Sequence, residues 1–472
     1  MELIGRTKER EIIRELLESR RSEFLAIYGR RRIGKTFLID QSCGSNPIFT
    51  LTGLHHAPLK EQLQNFTLSF QRQTKQFTTQ PANWLEAFQV LIQYLEGIKT
   101  DEKKVIFIDE LPWLSTPKSN FLGSLEHFWN AWASKKSDIL LIICGSAASW
   151  MIENIVRNKG GLHNRITQSI ALKPFNLQES ELLLRKNGIG LTRYQIAQLY
   201  MITGGVPYYL MAVKKGKSLD QIVNELCFSK DGLLRNEFEY VLKSLFDNAE
   251  NHLKVINVLS EKNSGLTRTE ILEKTGLSNA GSSTKILEEL EESGFINKYT
   301  PIYKKNKDTL YRVMDYYTNF YIQFIENRKT TTNTFLSITK LPNWAVWQGL
   351  AYESICLQHI AEIKQKIGIS GVNTQEASWL KKGNADEKGT QIDLLIDRDD
   401  AIINICEVKF ANDYYSISKE YAQQLRSKIS IFKEGSKTKK SVFLVMITTY
   451  GLKRNDYANE LVQNEVVLED LF

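Results

Sequence analysis

Gly29-Arg30-Arg31-Arg32-Ile33-Gly34-Lys35-Thr36 follows directly on the short apolar run Glu23-Phe24-Leu25-Ala26-Ile27-Tyr28. The eight residues fit G-x-x-x-x-G-K-T. The run before them reads as a buried strand, and Lys35 to Ser42 reads as a helix. Strand, glycine-rich loop and helix in that order are the context a phosphate loop requires. Glycines let backbone N–H groups face phosphate oxygens, and the N-terminus of the following helix adds a favourable field. Lys35 is placed to reach the β- and γ-phosphates, and the Thr36 hydroxyl to sit on Mg²⁺. Gly29, Arg30, Arg31, Arg32, Ile33, Gly34, Lys35 and Thr36 are therefore all candidate nucleotide-binding residues.

A second run, Val105-Ile106-Phe107-Ile108, ends in Asp109-Glu110. Four consecutive apolar residues suit a parallel strand covered on both faces, and ligands of open α/β sheets bind beyond the C-terminal strand ends. Asp109 is the candidate for the Mg²⁺ shell, and Glu110 for orienting the attacking water. A third strand, Ile139 to Cys144, ends in Gly145-Ser146. Ser146 is either a γ-phosphate sensor or a strand-end turn. Arg165 precedes another strand-like stretch, Ser169 to Leu172, and is either an arginine-finger candidate or a surface arginine. The expected class is α/β, with ATP and Mg²⁺ as cofactors.

Composition narrows the alternatives. With 472 residues, two to four domains are expected. A 42% hydrophobic and 24% charged composition excludes a disordered tail or collagen-like chain. Cys43, Cys144, Cys227, Cys356 and Cys406 form no C-x-x-C pair, which argues against a zinc ribbon and for reduced thiols in a cytoplasmic chain. No apolar run approaches the ~20 residues of a membrane span, and the N-terminus lacks the pattern of a signal peptide. The net charge of +7 permits a nucleic-acid partner without arguing for one.

Three segments resemble a known family. Ile4-Gly5-Arg6 with Glu9 is similar to the N-terminal motif of AAA+-type ATPases. Asp109-Glu110-Leu111-Pro112-Trp113-Leu114 resembles the extended Walker B signature of archaeal-type ATPases. Thr203-Gly204-Gly205-Val206-Pro207-Tyr208 resembles the lid motif of the related STAND-like branch. The resemblance implies an AAA+-like parallel sheet with a helical lid. It places Ile4 and Gly5 beside the adenine and Pro207 near the nucleotide. It also strengthens Arg165, which falls where such proteins carry an arginine after strand four.

From Leu177 to about Phe246 the apolar spacing is helical. Leu182, Leu183, Ile196, Leu199 and Tyr200 are expected in the core, and Tyr208 and Tyr209 in lid packing. Asn251 to about Tyr311 reads as three helices and a hairpin. Thr267 with Glu270 makes a capping box, and Gly276 and Gly294 end the second and third helices. This resembles a winged helix-turn-helix. Ser283 and Lys285 stand at the start of its third helix, but Glu288, Glu289, Glu291 and Glu292 crowd the other half and repel phosphate. The basic turn Lys304-Lys305-Asn306-Lys307 is the better backbone contact. DNA contact and protein–protein packing, including self-association, stand as alternatives for this module.

In the last part, Tyr316 to Glu326 is an aromatic packing helix and Trp347 to Ile360 a helix carrying Glu353. Thr390–Ile396 and Ala401–Lys409 read as strands joined by a turn at Asp397 to Asp400. Alternation puts Glu407 and Lys409 on one face, and the hairpin brings Asp393 toward Glu407. Two such carboxylates suit Mg²⁺ or Mn²⁺, with Lys409 stabilising charge on a phosphate. Glu353, Asp393 and Glu407-Val408-Lys409 resemble the PD-(D/E)xK restriction-endonuclease-like superfamily, with Ile392 where proline is common. Gln424 is a further candidate for supporting the site. The expected division is an ATPase core over 1–175, a lid over 176–248, a winged helix over 249–315 and a nuclease-like domain over 316–472. The expected function is an ATPase coupled to a metal-dependent nuclease. An ATP-dependent signalling scaffold with a silent nuclease-like domain and a DNA-remodelling ATPase are the alternatives.

Overall fold

The computed structural model describes every residue except 1, 45–46, 158–159, 161, 163, 247, 263, 303, 305–307, 327–333 and 382–388. The chain divides into two compact units, Met1–Pro174 and Phe175–Phe472.

The first unit is built on strands β1 (Glu23–Tyr28), β2 (Phe49–Thr52), β3 (Lys104–Asp109), β4 (Ile139–Gly145) and β5 (Gln168–Ala171). Their order is β2-β3-β4-β1-β5, and every pairing is parallel. The alternation of side chains across a strand explains why β1, β3 and β4 read as unbroken apolar runs. Phe24, Ala26, Ile106, Ile108, Leu141 and Ile143 join one core with Phe66 and Phe70 of the Leu59–Thr74 helix and Leu91 of the Trp84–Gly97 helix. Leu25, Ile27, Val105, Phe107, Leu140 and Ile142 join the other, with Ile13 of the Thr7–Glu18 helix and Leu38 and Ile39 of the Lys35–Ser42 helix. The expected strands 105–108, 139–144 and 169–172 are present to within a residue or two. Strand β2 was not legible, being four residues long with a threonine at every second position.

β4 lies between β3 and β1, so the turns leaving all three strands meet at one edge of the sheet. Gly29 is fixed there by space: its φ is +147°, and a Cβ on it would lie 2.3 Å from the Leu172 carbonyl oxygen.

The second unit begins with helices, among them Leu177–Lys186, Arg193–Thr203 and Pro207–Met211. Gly205 has a φ of +67°, and a Cβ there would meet the Phe175 carbonyl oxygen at 2.1 Å. Leu183, Ile196, Leu199 and Tyr200 are buried as expected, but Leu182 is 51% exposed. Tyr209 is buried and its hydroxyl donates to Glu237 Oε1 at 2.9 Å, whereas Tyr208 is exposed and corrects the expected packing role.

Helices Ala249–Ser260, Arg268–Thr275 and Gly281–Glu292 follow, with a three-stranded antiparallel sheet of β6 (Leu266–Thr267), β7 (Ile296–Tyr299) and β8 (Leu310–Val313) in the order β6-β8-β7. Thr267 and Glu270 form the expected capping box, and Gly276 caps the same helix at φ +70°. Ser283 is buried and its hydroxyl donates to the Ser278 carbonyl at 2.6 Å, so it is not offered to a partner. Of the basic turn, residues 305–307 lie outside the described residues.

Tyr317, Phe320, Tyr321 and Phe324 are buried; Phe320 and Phe324 pack on Trp347 with ring centroids 5.5 and 5.4 Å apart. Trp347 and Glu353 belong to the helix Pro342–Gln358, which starts five residues before the expected Trp347 and ends two before Ile360. The last sheet has the order β13-β12-β11-β10-β9, from β9 (Thr374–Lys381), β10 (Thr390–Arg398), β11 (Ile402–Lys409), β12 (Ser441–Thr448) and β13 (Val462–Val467). The β9, β10 and β11 pairings are antiparallel, whereas β11, β12 and β13 run parallel. Ile392, Leu395, Ile403 and Ile405 pack against Ala422, Leu425 and Phe432 of the Lys419–Ser436 helix.

Candidate functional site

At the edge of the first sheet, the loop after β1 wraps the start of the Lys35–Ser42 helix, whose preceding residue Gly34 has φ +85°. Arg32 also takes a positive φ, 69°. The Lys35 ammonium donates to the carbonyls of Gly29 at 2.8 Å and Arg30 at 2.9 Å. The lysine is thus held inside the loop by two neutral acceptors, and among the described residues its ammonium forms no ion pair. Thr36 Oγ1 donates to Asp109 Oδ2 at 2.8 Å, which joins the two expected Mg²⁺ residues, one at the start of the Lys35–Ser42 helix and the other at the end of β3. Asp109 Oδ1 accepts from the Glu110 amide at 2.9 Å.

Glu110 stands in the left-handed region at φ 47°, a conformation that costs a non-glycine residue about 1–3 kcal/mol. Its carboxylate is taken by Ser146 at the end of β4. The Ser146 hydroxyl lies 2.8 and 2.7 Å from the two carboxylate oxygens, and its amide donates at 3.2 Å. Ser146 therefore meets Glu110 directly. Arg31 sets its guanidinium 5.6 Å over the Trp113 ring, so its side chain is occupied within the unit. Arg165 is exposed and takes no part in the contacts that hold Lys35, Thr36, Asp109, Glu110 and Ser146.

Arg6, part of the Ile4-Gly5-Arg6 motif, has a structural role that the motif alone does not indicate. It is 4% exposed, and its Nη2 donates to the Ile33 carbonyl at 3.1 Å, tying the segment that carries Ile4 and Gly5 to the phosphate loop. Asp40, one turn beyond Thr36, was also missed. Burial and then the charge of Asp109 raise its carboxyl above the usual range. Pro207 lies in the second unit, buried at the first position of its helix.

The second candidate constellation is in the last sheet. The β10–β11 register runs to Leu394 opposite Cys406, so Asp393 and Glu407 are the next residues along the pair. The β9–β10 register shifts between Ile392 and Leu395, which places Asp393 in a bulge; bulges re-aim side chains beside functional sites. Glu407 is closely held. Its Oε1 accepts from Lys409 Nζ at 2.9 Å and the Tyr421 hydroxyl at 2.6 Å, and its Oε2 accepts from Lys428 Nζ at 2.7 Å. Burial pushes this carboxyl up, but the charges of Lys428 and Lys409 prevail and hold it down to about 2. Glu353 behaves in the opposite way: burial, then the negative charges of Asp393 and Glu407, push it up to about 8.

Among the described residues no three Asp, Glu, His or Cys side chains are grouped for an ion. The Glu407 oxygens are taken by two ammonium groups and a phenol. Gln424 is exposed, and the supporting contacts come from Tyr421 and Lys428 on the same helix. Seven residues are two helical turns, so these two share a face. That spacing was a signal available in the sequence. No helix among the described residues is long and apolar enough to cross a membrane.

Comparison with known proteins bears mainly on the first site. Residues 3–213 match the family described as an ATPase domain predominantly from Archaea. The uncharacterized protein MJECL04 of Methanocaldococcus jannaschii is 25% identical over 398 residues, 83% of either chain. Two solved structures resemble this one at low identity. The Walker-type ATPase paby2304 of Pyrococcus abyssi has a TM-score of 0.49 and 15% identity, over 68% of this chain and 96% of that one. The ORC2 protein of Aeropyrum pernix, as ADPNP–ADP complexes, has a TM-score of 0.43 and 17% identity, over 69% and 94%.

Proposed function

We propose that residues 3–213, which match an ATPase domain predominantly from Archaea, act as an ATPase that controls a metal-dependent phosphodiesterase acting on nucleic acid in the last part of the chain. The carrying observation is the pair of contacts Lys35–loop carbonyl and Thr36–Asp109, where the loop, its helix and the end of β3 meet. The loop, with Gly29 closed against Leu172 and Gly34 opening a helix, would take the phosphates of a nucleoside triphosphate. Lys35 would exchange the Gly29 and Arg30 carbonyls for β- and γ-phosphate oxygens, and Thr36 and Asp109 would hold Mg²⁺. Glu110 orients the attacking water from its left-handed turn, with Ser146 as its partner. Ile4, Gly5 and Pro207 border the nucleotide, and Arg165 serves as an arginine finger to the same or a neighbouring subunit. Residues 176–248 act as the lid and residues 249–315 as a winged helix for a nucleic-acid or protein partner.

Asp393 and Glu407 of the last sheet and Glu353 of the Pro342–Gln358 helix would supply hard oxygen donors; burial, then the charges of Asp393 and Glu407, raises the Glu353 carboxyl. A bound Mg²⁺ or Mn²⁺ supplies an activated water and neutralises phosphate charge. Lys409, already 2.9 Å from Glu407, orients that carboxylate and faces the scissile phosphate. The test is cleavage of DNA and RNA with Mg²⁺ or Mn²⁺, with and without ATP, by the wild type, D393N and K409A. Loss of cleavage in both variants is expected. Cleavage unaffected by either change would remove the assignment. A silent, binding-only domain is the second reading, favoured by the clamp of Lys409, Lys428 and Tyr421 on Glu407; wild-type protein that never cleaves supports it.

A further inference from the structure

Within the second unit, a cavity of about 220 Å³ opens between β8, β10 and the Pro342–Gln358 helix. At ~30 Å³ per water it holds about seven waters, more room than one phosphate group needs. Arg312, Asn319, Glu353, Ser354, Gln391 and Asp393 give it polar walls. We propose that this cavity is a phosphate-binding site, in which Arg312 holds a phosphodiester of a nucleic-acid strand beside Asp393. The inference rests on the nucleic-acid reading given above and adds to it a residue from outside the nuclease-like segment.

Arg312 carries the argument. A guanidinium next to two carboxyl groups ordinarily closes a forked ion pair with one of them. Here it forms no ion pair or hydrogen bond among the described residues, and its Nε is buried without a partner. Asn319 Oδ1 on the same cavity is also buried and unsatisfied. The guanidinium instead lies 5.1 Å over the Tyr299 ring, held by a neighbouring strand of its own sheet. A stacked, unpaired fork at a polar cavity is suited to two phosphate oxygens. Asp393 has a polar neighbour of its own, since the Gln391 side-chain amide donates to its Oδ1 at 2.7 Å. Glu353 and Asp393 line the same cavity, and a cation held by them in the nuclease reading above would add to the positive charge that a phosphate meets. The module of three helices and β6–β8 thereby contributes to the last sheet's site through a side chain, independently of any contact from its basic turn.

The test uses the full chain and a fluorescein-labelled single-stranded DNA of about twenty nucleotides, with Ca²⁺ replacing Mg²⁺ to suppress cleavage. Binding is followed by anisotropy over a series of salt concentrations. R312A and the better-matched R312Q should weaken binding roughly tenfold and reduce the salt slope by about 0.7, one phosphate contact on a single strand. R312K should restore the slope but only part of the affinity, having the charge without the fork. Unchanged affinity and slope in R312Q would overturn the proposal, as would absence of wild-type binding to this probe. A wild type that binds through Arg312 yet never cleaves would keep this site and discard the nuclease reading. Cleavage with no dependence of binding on Arg312 would do the reverse.

Discussion

The two sites treat their lysines in opposite ways before any ligand arrives. Lys35 rests on two neutral carbonyls of its own loop, so its positive charge is conserved for a phosphate. Lys409 and Lys428 are both committed to Glu407, so much of the charge in the last sheet is cancelled internally. The first arrangement is assembled from backbone geometry and one helix-to-strand contact. The second is a buried ion cluster whose members would have to exchange partners to serve a substrate. A site of the first kind is sensitive to loss of a single group that nothing else replaces. In the second kind, removing one partner exposes the cost of burying the others.

The largest effect expected from this contrast is at Lys35. K35A should lower ATP turnover by roughly a hundredfold or more, measured as phosphate release with Mg²⁺, whereas K409A should leave turnover intact. Turnover retained in K35A would end the assignment of this loop. The next effect is on stability. K428A strips one of two ammonium groups from a carboxylate that is itself mostly buried. Losing a hydrogen bond to a charged group costs about 1–3 kcal/mol, read as a shift in the urea midpoint at neutral pH. An unchanged midpoint would mean that Glu407 is held by Lys409 and Tyr421 alone.

The same contrast decides what the sequence reveals. The first site is contiguous: eight residues define the loop, and the strands feeding it are covered on both faces, so their apolar runs stand out. Its sequence-distant contact, Thr36 to Asp109, was recoverable because the loop motif and the strand-end acid each point to the same expected Mg²⁺. The second site is distributed. Tyr421 and Lys428 reach Glu407 from 14 and 21 residues away, on a helix whose charged residues resemble any solvated face. Strands β9, β12 and β13 were not legible; β9 and β13 carry polar residues along a sheet edge. Arg312 lay in a hairpin strand read for its neighbouring lysines, and nothing local marks an arginine whose Nε is buried without a partner among the described residues. Leu182 and Tyr208 erred in the other direction, since apolar character predicts burial only on average.

A smaller effect separates Glu353 from Glu407 by pH. Glu353 has its carboxyl raised from 4.5 to about 8. The folded chain therefore keeps a proton that the unfolded chain releases, and stability falls as pH rises from 4.5 to about 8. Glu407, held down to about 2, contributes stability above 4.5 that is lost as pH falls through that range toward 2. The difference in unfolding free energy between wild type and E353Q removes most other titrations. It should move against the wild type across the window from 4.5 to about 8 and stay level below it. A flat difference would show that Glu353 carries its charge in the folded chain, and that the negative charges of the last sheet are already compensated.

The smallest effect tests whether the first site is as preformed as its lysine suggests. Ser146 gives Glu110 a hydroxyl and an amide, and S146A removes only the former. If those bonds hold Glu110 in its working direction, the loss of one net hydrogen bond, about 1 kcal/mol, lowers kcat roughly fivefold. The KM for ATP should stay unchanged, because Lys35 and the loop still bind the phosphates, and S146T should recover most of the loss. If instead Ser146 restrains Glu110 away from the water until nucleotide draws it off, S146A raises kcat. The first site would then resemble the second, with a catalytic carboxylate held by a partner that must let go. The direction of the change in kcat therefore decides whether the two sites differ in kind or only in how firmly their acids are held.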